Sequence, residues 1–289
     1  MTRPPTELSH SRMKALKCPF QYQARYIRLI PDTGGEPALK GRIGHEVAAE
    51  YIGHLARTHR GRDLDAYTDI IMRRTQPLPQ HLADDILSVG ECFFAGFELD
   101  HRAERHATEL LLAVGEDFSA RPDVVRDDSG AVALVTEDLV TGRLDYLATY
   151  KGGSKSLICD FKMGQEHLHY DSAAHSAQLQ LYAALDFWCN PQRQEVEVML
   201  WGVKYGRGNV SKYTYSREAC TSEAMTRVLV ARATLDALYD IYGDEEWPAT
   251  PQEATTCQFC PVVSGCPHNL RLLPAVFETP LQAKARRKR

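Results

Sequence analysis

The chain has 289 residues, of which 44% are apolar, 25% charged and 9% aromatic. That is ordinary globular composition, and it excludes a wholly disordered, collagen-like or disulfide-scaffold chain. No apolar run approaches the roughly 18 residues needed to span a membrane, and the opening MTRPPTELSHSRMK lacks the apolar stretch of a secretory signal, so an intracellular, cytoplasmic protein is expected. The net charge is −4, and five basic residues fall in the last six, KARRKR, leaving 29 basic against 38 acidic residues elsewhere. Nucleic-acid binding would therefore use local patches rather than overall charge. The tail reads as a solvated end that could add phosphate contacts.

Residues 9–30 read as a helix or two, interrupted at Pro19. Residues 43–58 place apolar side chains at helical spacing, with Gly41 and Gly44 at the entrance. Residues 80–107 read as mostly helical, so the first hundred residues are mainly α. The pattern then changes. TELLLAV (108–114) predicts a strand, 133–150 one or two more, KGGSK a turn, and SLICDFKM (156–163) another strand. A helix is expected over 172–188, stopped at Asn190-Pro191. The alternating EVEVMLWGVKYG, the turn GRGN and VSKYTYS suggest a further hairpin, and 218–242 a long helix. This order predicts a mixed sheet flanked by helices with no clear linker between independent domains. A single domain over 1–289 follows: a mainly helical part at 1–107, a sheet core at 108–216, and a C-terminal segment at 217–289.

The strongest chemical signal is Gly142-Arg143-Leu144-Asp145 followed by Asp160-Phe161-Lys162. A turn centred between Gly152 and Gly153 puts Asp145 opposite Asp160, with Lys162 on the same face. The other face pairs Leu144 with Phe161, Tyr146 with Cys159 and Ala148 with Leu157, so one apolar face and one acidic face are expected. Opposed carboxylates repel unless something positive intervenes. Mg²⁺ or Mn²⁺ suits an oxygen-ligand set, and Lys162 could orient or deprotonate a water attacking a phosphodiester. A surface salt bridge among Asp145, Asp160 and Lys162 is the plainer alternative. His45 lies early in a helix behind a glycine. Gln178 and Tyr182, four apart, share a helix face.

Four of the eight cysteines, Cys92, Cys159, Cys189 and Cys220, sit in apolar segments and read as small buried hydrophobes. The others form a set: Cys257, Cys260 and Cys266 as C-x2-C-x5-C, and Cys18 far upstream. Four soft thiolates suit zinc or an iron–sulfur cluster. No G-x-x-x-x-G-K-[ST] loop is present, so no helicase motor is encoded here.

The ordered set Gly44-His45, G-R-L-D (142–145), D-F-K (160–162) and Q-L-x-L-Y (178–182) resembles the RecB-like branch of the PD-(D/E)XK nuclease superfamily. The resemblance implies an α/β, restriction-endonuclease-like mixed central sheet flanked by helices. It implies a divalent ion on His45, Asp145, Asp160 and the backbone carbonyl of Phe161. It assigns Lys162 to the nucleophilic water, and Gln178 and Tyr182 to site support or DNA contact. Many superfamily members carry glutamate where this chain has Asp160. One cysteine before the core and three after it resemble the iron–sulfur nucleases, the CRISPR-associated RecB-like exonucleases and the AddB nuclease domain. That favours a structural 4Fe-4S cluster on Cys18, Cys257, Cys260 and Cys266 over zinc. The implied activity is a metal-dependent exonuclease on single-stranded DNA or DNA ends, in a bacterial or phage setting of recombination, repair or CRISPR adaptation, with no membrane partner. A non-catalytic DNA-binding adaptor of the same fold, or a zinc-stabilised structural protein, are the alternatives.

Overall fold

A computed structural model describes residues 3–30, 35–59, 61–125, 137–164, 168–169, 172–250, 257, 260, 262 and 266–267. The basic tail, and the part of the 133–150 strand prediction before 137, lie outside these residues. The chain forms two compact units: Arg3–His10 with Gly34–Ala233, and Met1–Thr2, Ser11–Thr33 and Thr234–Arg289.

The larger unit holds a six-stranded mixed sheet. Its strands are β1 (Glu7–Leu8), β2 (Arg105–Val114), β3 (Leu139–Tyr150), β4 (Lys155–Lys162), β5 (Glu195–Gly202) and β6 (Val210–Ser216). β2 pairs antiparallel with β3 along nearly its whole length, β3 with β4 is an antiparallel hairpin, β4 with β5 is parallel, and β5 with β6 antiparallel. A parallel neighbour needs a crossover, supplied by α6 (Ala177–Cys189), whose Ser176 cap accepts the Leu179 N–H at 3.2 Å. β1 pairs parallel with the start of β3. At two residues it carries no periodicity to read. It is held by Arg3 and by the Thr6 N–H, both bonded to Asp138.

Three helices cover one face of the sheet. In α3 (Gly35–Thr58), Ile43, Val47, Ala48, Tyr51, Ile52 and Leu55 are buried at helical spacing. This helix begins well before residue 43, because Pro37 in its first turn costs no intrahelical bond. The α4 helix (Leu64–Thr75), which the sequence reading did not single out, is capped by Asp63 on the Ala66 N–H at 3.1 Å. The α5 helix (Gln80–Gly96) stops short of the expected 107, since Phe97 is already extended and β2 begins at Arg105. On the opposite face lie α6 and the part of α7 (Arg217–Tyr242) up to Ala233, including buried Cys220 and Ala224.

The hairpin register is as expected: Tyr146 faces Cys159, Ala148 faces Leu157 and Tyr150 faces Lys155. The expected division into one apolar and one acidic face does not hold. Tyr146, Ala148, Cys159 and Phe161 pack beneath α3 and α5, but Leu147 and Ile158 on the acidic side are equally buried against α6. Leu144, expected beside Phe161, also packs with the α6 cluster. Its parity relative to Tyr146 flips because the β2–β3 ladder skips the Glu109–Asp145 pair. There Glu109 takes a left-handed φ of 51°, which an L-residue adopts at a cost within a strand. Both faces are therefore core, and the polar groups concentrate where the ladder breaks.

In the smaller unit, α1 (His10–Ala15) is followed by α2 (Pro19–Tyr22) and a π-helical turn, Gln23–Ile27. Pro19 starts the second helix rather than merely interrupting the first. Trp247 is buried, stacked on Tyr22 and edge-on to Tyr239. Gln23 fixes that segment, its Oε1 accepting the Trp247 N–H at 3.0 Å and its Nε2 donating to the Glu245 carbonyl at 2.5 Å. Among the described residues, no helix is long and apolar enough to cross a membrane.

Candidate functional site

The β3–β4 ladder ends at Tyr146–Cys159, one pair short of the two aspartates. Past that point Asp145 turns into the gap, and its Oδ2 accepts the Phe161 N–H at 2.8 Å. His45, on α3, places Nδ1 3.3 Å from the same carboxylate oxygen. Glu109, aimed by its left-handed backbone, completes a group of three. Ligand atoms of His45, Glu109 and Asp145 all lie within 4.8 Å of one another.

Asp160 is 3% exposed, and its Oδ2 sits 2.8 Å from Lys162 Nζ. Lys162 also donates to Gln178 Oε1 at 3.2 Å, and Gln178 Nε2 donates to Tyr182 Oη at 2.9 Å. Two clusters thus share a cavity of about 350 Å³ lined by His45, Glu109, Arg143, Asp145, Asp160 and Lys162. The glycine of G-R-L-D has a steric reason. A Cβ at Gly142 would come within 2.6 Å of Leu185 Cδ1 and 2.9 Å of the Tyr182 ring, so only glycine lets α6 seat this close. A Cβ at Gly44 would meet Met163 Cγ at 3.0 Å.

The electrostatics are those of crowded anions. Burial pushes the Asp160 carboxyl up, Lys162 pulls it down, and the Asp145 charge leaves it net raised. Glu109 is also raised by burial, with Arg143 opposing and Asp145 adding. For His45, burial favours the neutral ring. The hydrogen bond and charge of Asp145, with the charges of Asp160 and Glu109, outweigh it and raise the pKa. Burial raises the Tyr182 phenol. Crowded groups whose negative charges disfavour one another fit a divalent cation. The donor set of one imidazole and hard carboxylate oxygens suits Mg²⁺ or Mn²⁺.

The structure brings His45, Asp145, Asp160, Lys162 and Gln178 to one cavity, with Phe161 as a backbone donor to Asp145 and its ring buried against Phe93 and Trp201. Asp160 lies outside the three-residue group and turns to Lys162. Glu109 was missed. Its only signal was a lone acid inside the apolar run TELLLAV, and the kink that aims it is not a sequence pattern.

In the smaller unit, Cys18 is the N-cap residue of α2 and packs with Cys260 and Cys266 around Phe20, Ala24 and Val262. The Cys260 N–H donates to the Cys257 carbonyl at 3.1 Å. Burial raises the Cys260 thiol, and the neighbouring Cys18, Cys266 and Cys257 thiols push the same way. Cys18, Cys260 and Cys266 thus pack on one small apolar cluster, although among the described residues no three cysteine sulfurs lie within 4.8 Å of one another. Of the cysteines read as core, Cys159 and Cys220 are buried, while Cys92 and Cys189 are partly exposed.

None of the curated proteins matches this chain. Among solved structures it is similar to one titled "Crystal structure of SSO0001", with a TM-score of 0.39 and 12% identity over 93% of this chain and 90% of that one. The PD-(D/E)XK nuclease superfamily matches over residues 7–267. With a mixed sheet between helices and its acidic groups gathered at the broken β3–β4 ladder, the chain belongs to the PD-(D/E)XK nuclease superfamily.

Proposed function

We propose that this protein is a metal-dependent DNA exonuclease of the RecB-like branch, acting on single-stranded DNA or at DNA ends and stabilised by a 4Fe-4S cluster on Cys18, Cys257, Cys260 and Cys266. The observation that carries the reading is the convergence of His45, Glu109 and Asp145 within 4.8 Å, beside the Asp160–Lys162 pair. Residues 1–289 act as a single nuclease domain in this reading.

His45, Asp145 and Asp160 would hold Mg²⁺ or Mn²⁺, with the Phe161 carbonyl and Glu109 as further oxygen donors. When bound, the ion supplies Lewis-acid polarisation of the phosphodiester and neutralises charge that develops during hydrolysis. Lys162 Nζ orients the attacking water and holds a proton beside it. Gln178 fixes the direction of that ammonium, and Tyr182 fixes Gln178. Asp145 accepts the Phe161 N–H and so sets the distance between the two strands that present the site. Arg143, paired with Glu109 and half exposed, would meet a phosphate in this reading.

The test is Mn²⁺-dependent digestion of end-labelled single-stranded DNA, with end-blocked strands separating exonuclease from endonuclease action. Lys162→Ala is expected to lower the rate by about 10²–10⁴, the usual worth of a positioned proton-transfer group. Equal rates for wild type and variant would end the assignment. For the thiolate site, anaerobically purified protein should be brown with broad visible absorbance that Cys18→Ser removes. Colourless protein carrying zinc would refute the cluster.

A further inference from the structure

Arg42, Arg143 and Lys162 bring three cations to the lining of the acidic cavity. They sit at different depths. The Lys162 side chain is 30% exposed, that of Arg143 53% and that of Arg42 68%, so Arg42 stands at the rim. It precedes His45 by three residues on α3, and the two share a helix face.

The deeper two cations are matched by the cavity's own acids, Lys162 by Asp160 and Arg143 by Glu109. Among the described residues, Arg42 makes no ion pair with those acids. Its pair is with Glu46, Nε to Oε1 at 4.0 Å, the outer limit of such a contact. Glu46 is already engaged, its Oε2 accepting from Arg74 at 3.0 Å. One turn further along α3, Glu50 takes Arg73 at 2.8 Å and Arg74 at 3.0 Å. Three guanidiniums thus share two carboxylates, which leaves one positive charge, and Arg42 has the longest hold of the three. An exposed pair at that distance contributes almost nothing to stability, so Arg42 can turn to another anion at little cost.

A polyanion entering this cavity meets Glu109, Asp145 and Asp160. A cation at the mouth whose charge is not matched offsets that repulsion, and a guanidinium meets a phosphate with two parallel N–H donors.

We propose that Arg42 grips a backbone phosphate of the DNA strand, the neighbour of the phosphate that lies over the acidic cavity. The inference rests on the nuclease reading above and deepens it, by adding a residue that holds the strand without touching the reacting phosphate.

The experiment measures equilibrium binding of a fluorescein-labelled twelve-residue single strand in EDTA across a salt series. Arg42→Ala is expected to bind about tenfold more weakly at low salt, the worth of one charge-assisted contact. The slope of log K against log salt should become shallower by about 0.7, the value for one phosphate contact on a single strand. Glu46→Gln breaks the same ion pair but keeps the cation, and should bind at least as tightly as wild type with the wild-type slope. Arg42→Lys keeps the charge without the fork, and should recover the slope and part of the affinity. Thermal melting checks that each variant folds. No binding by wild type, an unchanged affinity and slope in Arg42→Ala, or equal weakening in Arg42→Ala and Glu46→Gln would overturn the proposal. Cleavage of the same strand in Mn²⁺ is the separate arm. There the loss in Arg42→Ala should fall in KM rather than kcat, and a loss confined to kcat would overturn the proposal too. Arg42-dependent binding without cleavage by wild type refutes the nuclease reading and leaves the phosphate contact standing.

Discussion

Glu109→Gln separates the cost of gathering anions from their use. The Glu109 and Asp145 carboxylates come within 4.8 Å. At an effective dielectric of about 20, two like charges at that distance repel by about 3 kcal/mol. Glu109 also pairs with Arg143, but that guanidinium is 53% exposed, so losing the pair costs about 1 kcal/mol. Burial and Asp145 together hold the Glu109 carboxyl above its usual range, so its charged form opposes folding at neutral pH. The neutral isostere should therefore stabilise metal-free protein by about 2 kcal/mol. At roughly 2–4 °C per kcal/mol, Tm in EDTA should rise by about 4–8 °C. The same substitution replaces an anionic oxygen donor by a neutral amide oxygen, a weaker ligand for a hard cation. A tenfold weaker metal affinity would shrink the stabilisation gained from saturating Mn²⁺ by about 1.4 kcal/mol. Melting curves in EDTA and across a Mn²⁺ titration measure both arms. The reasoning is refuted if Glu109→Gln melts below wild type without metal, or if Mn²⁺ stabilises both proteins equally.

Gly142→Ala should destabilise the larger unit by about 1–3 kcal/mol, the cost of overpacking, because its Cβ would collide with Leu185 and Tyr182. Denaturant melts measure this, and a matching loss of nuclease activity is expected as α6 is pushed off and Gln178 leaves Lys162. Asp138→Asn tests the anchor of β1. Burial alone would raise the Asp138 carboxyl, but its bonds to Arg3 and the Thr6 N–H outweigh burial and hold it below its usual range. A depressed carboxylate stabilises above its unfolded pKa, and that contribution is lost as pH falls through the folded value. The variant should thus be less stable by about 3 kcal/mol at pH 7, and the gap should narrow below about pH 4. A gap independent of pH would show that the charge is not what matters.

The hairpin was legible because it is local. Gly152 and Gly153 take the positive φ of its turn, and alternation on either side sets a register that a one-residue slip would invert. The long helices α3, α6 and α7 were legible from apolar spacing, although α3 began earlier and α6 later than the pattern suggested. The two-residue β1 and the polar α4 carried too little pattern to find. Gly142 was visible only as part of a motif, and its reason, the close seat of α6, lies 40 residues away in Tyr182. Glu109 was illegible because a backbone kink, not its neighbours in sequence, turns it toward His45 and Asp145.

By itself, the sequence determined which chemistry was available: two aspartates and a lysine set by one turn, and four cysteines spaced as C-x2-C-x5-C with one far upstream. Only the tertiary structure decided how the groups divide. It buried the acidic face under α6, broke the ladder at Asp145, recruited Glu109 to His45, and gave Asp160 to Lys162. Local geometry follows from bonded neighbours and alternation. Which charges end up together depends on where packing leaves a gap in the sheet, and that is settled by side chains far apart in the chain.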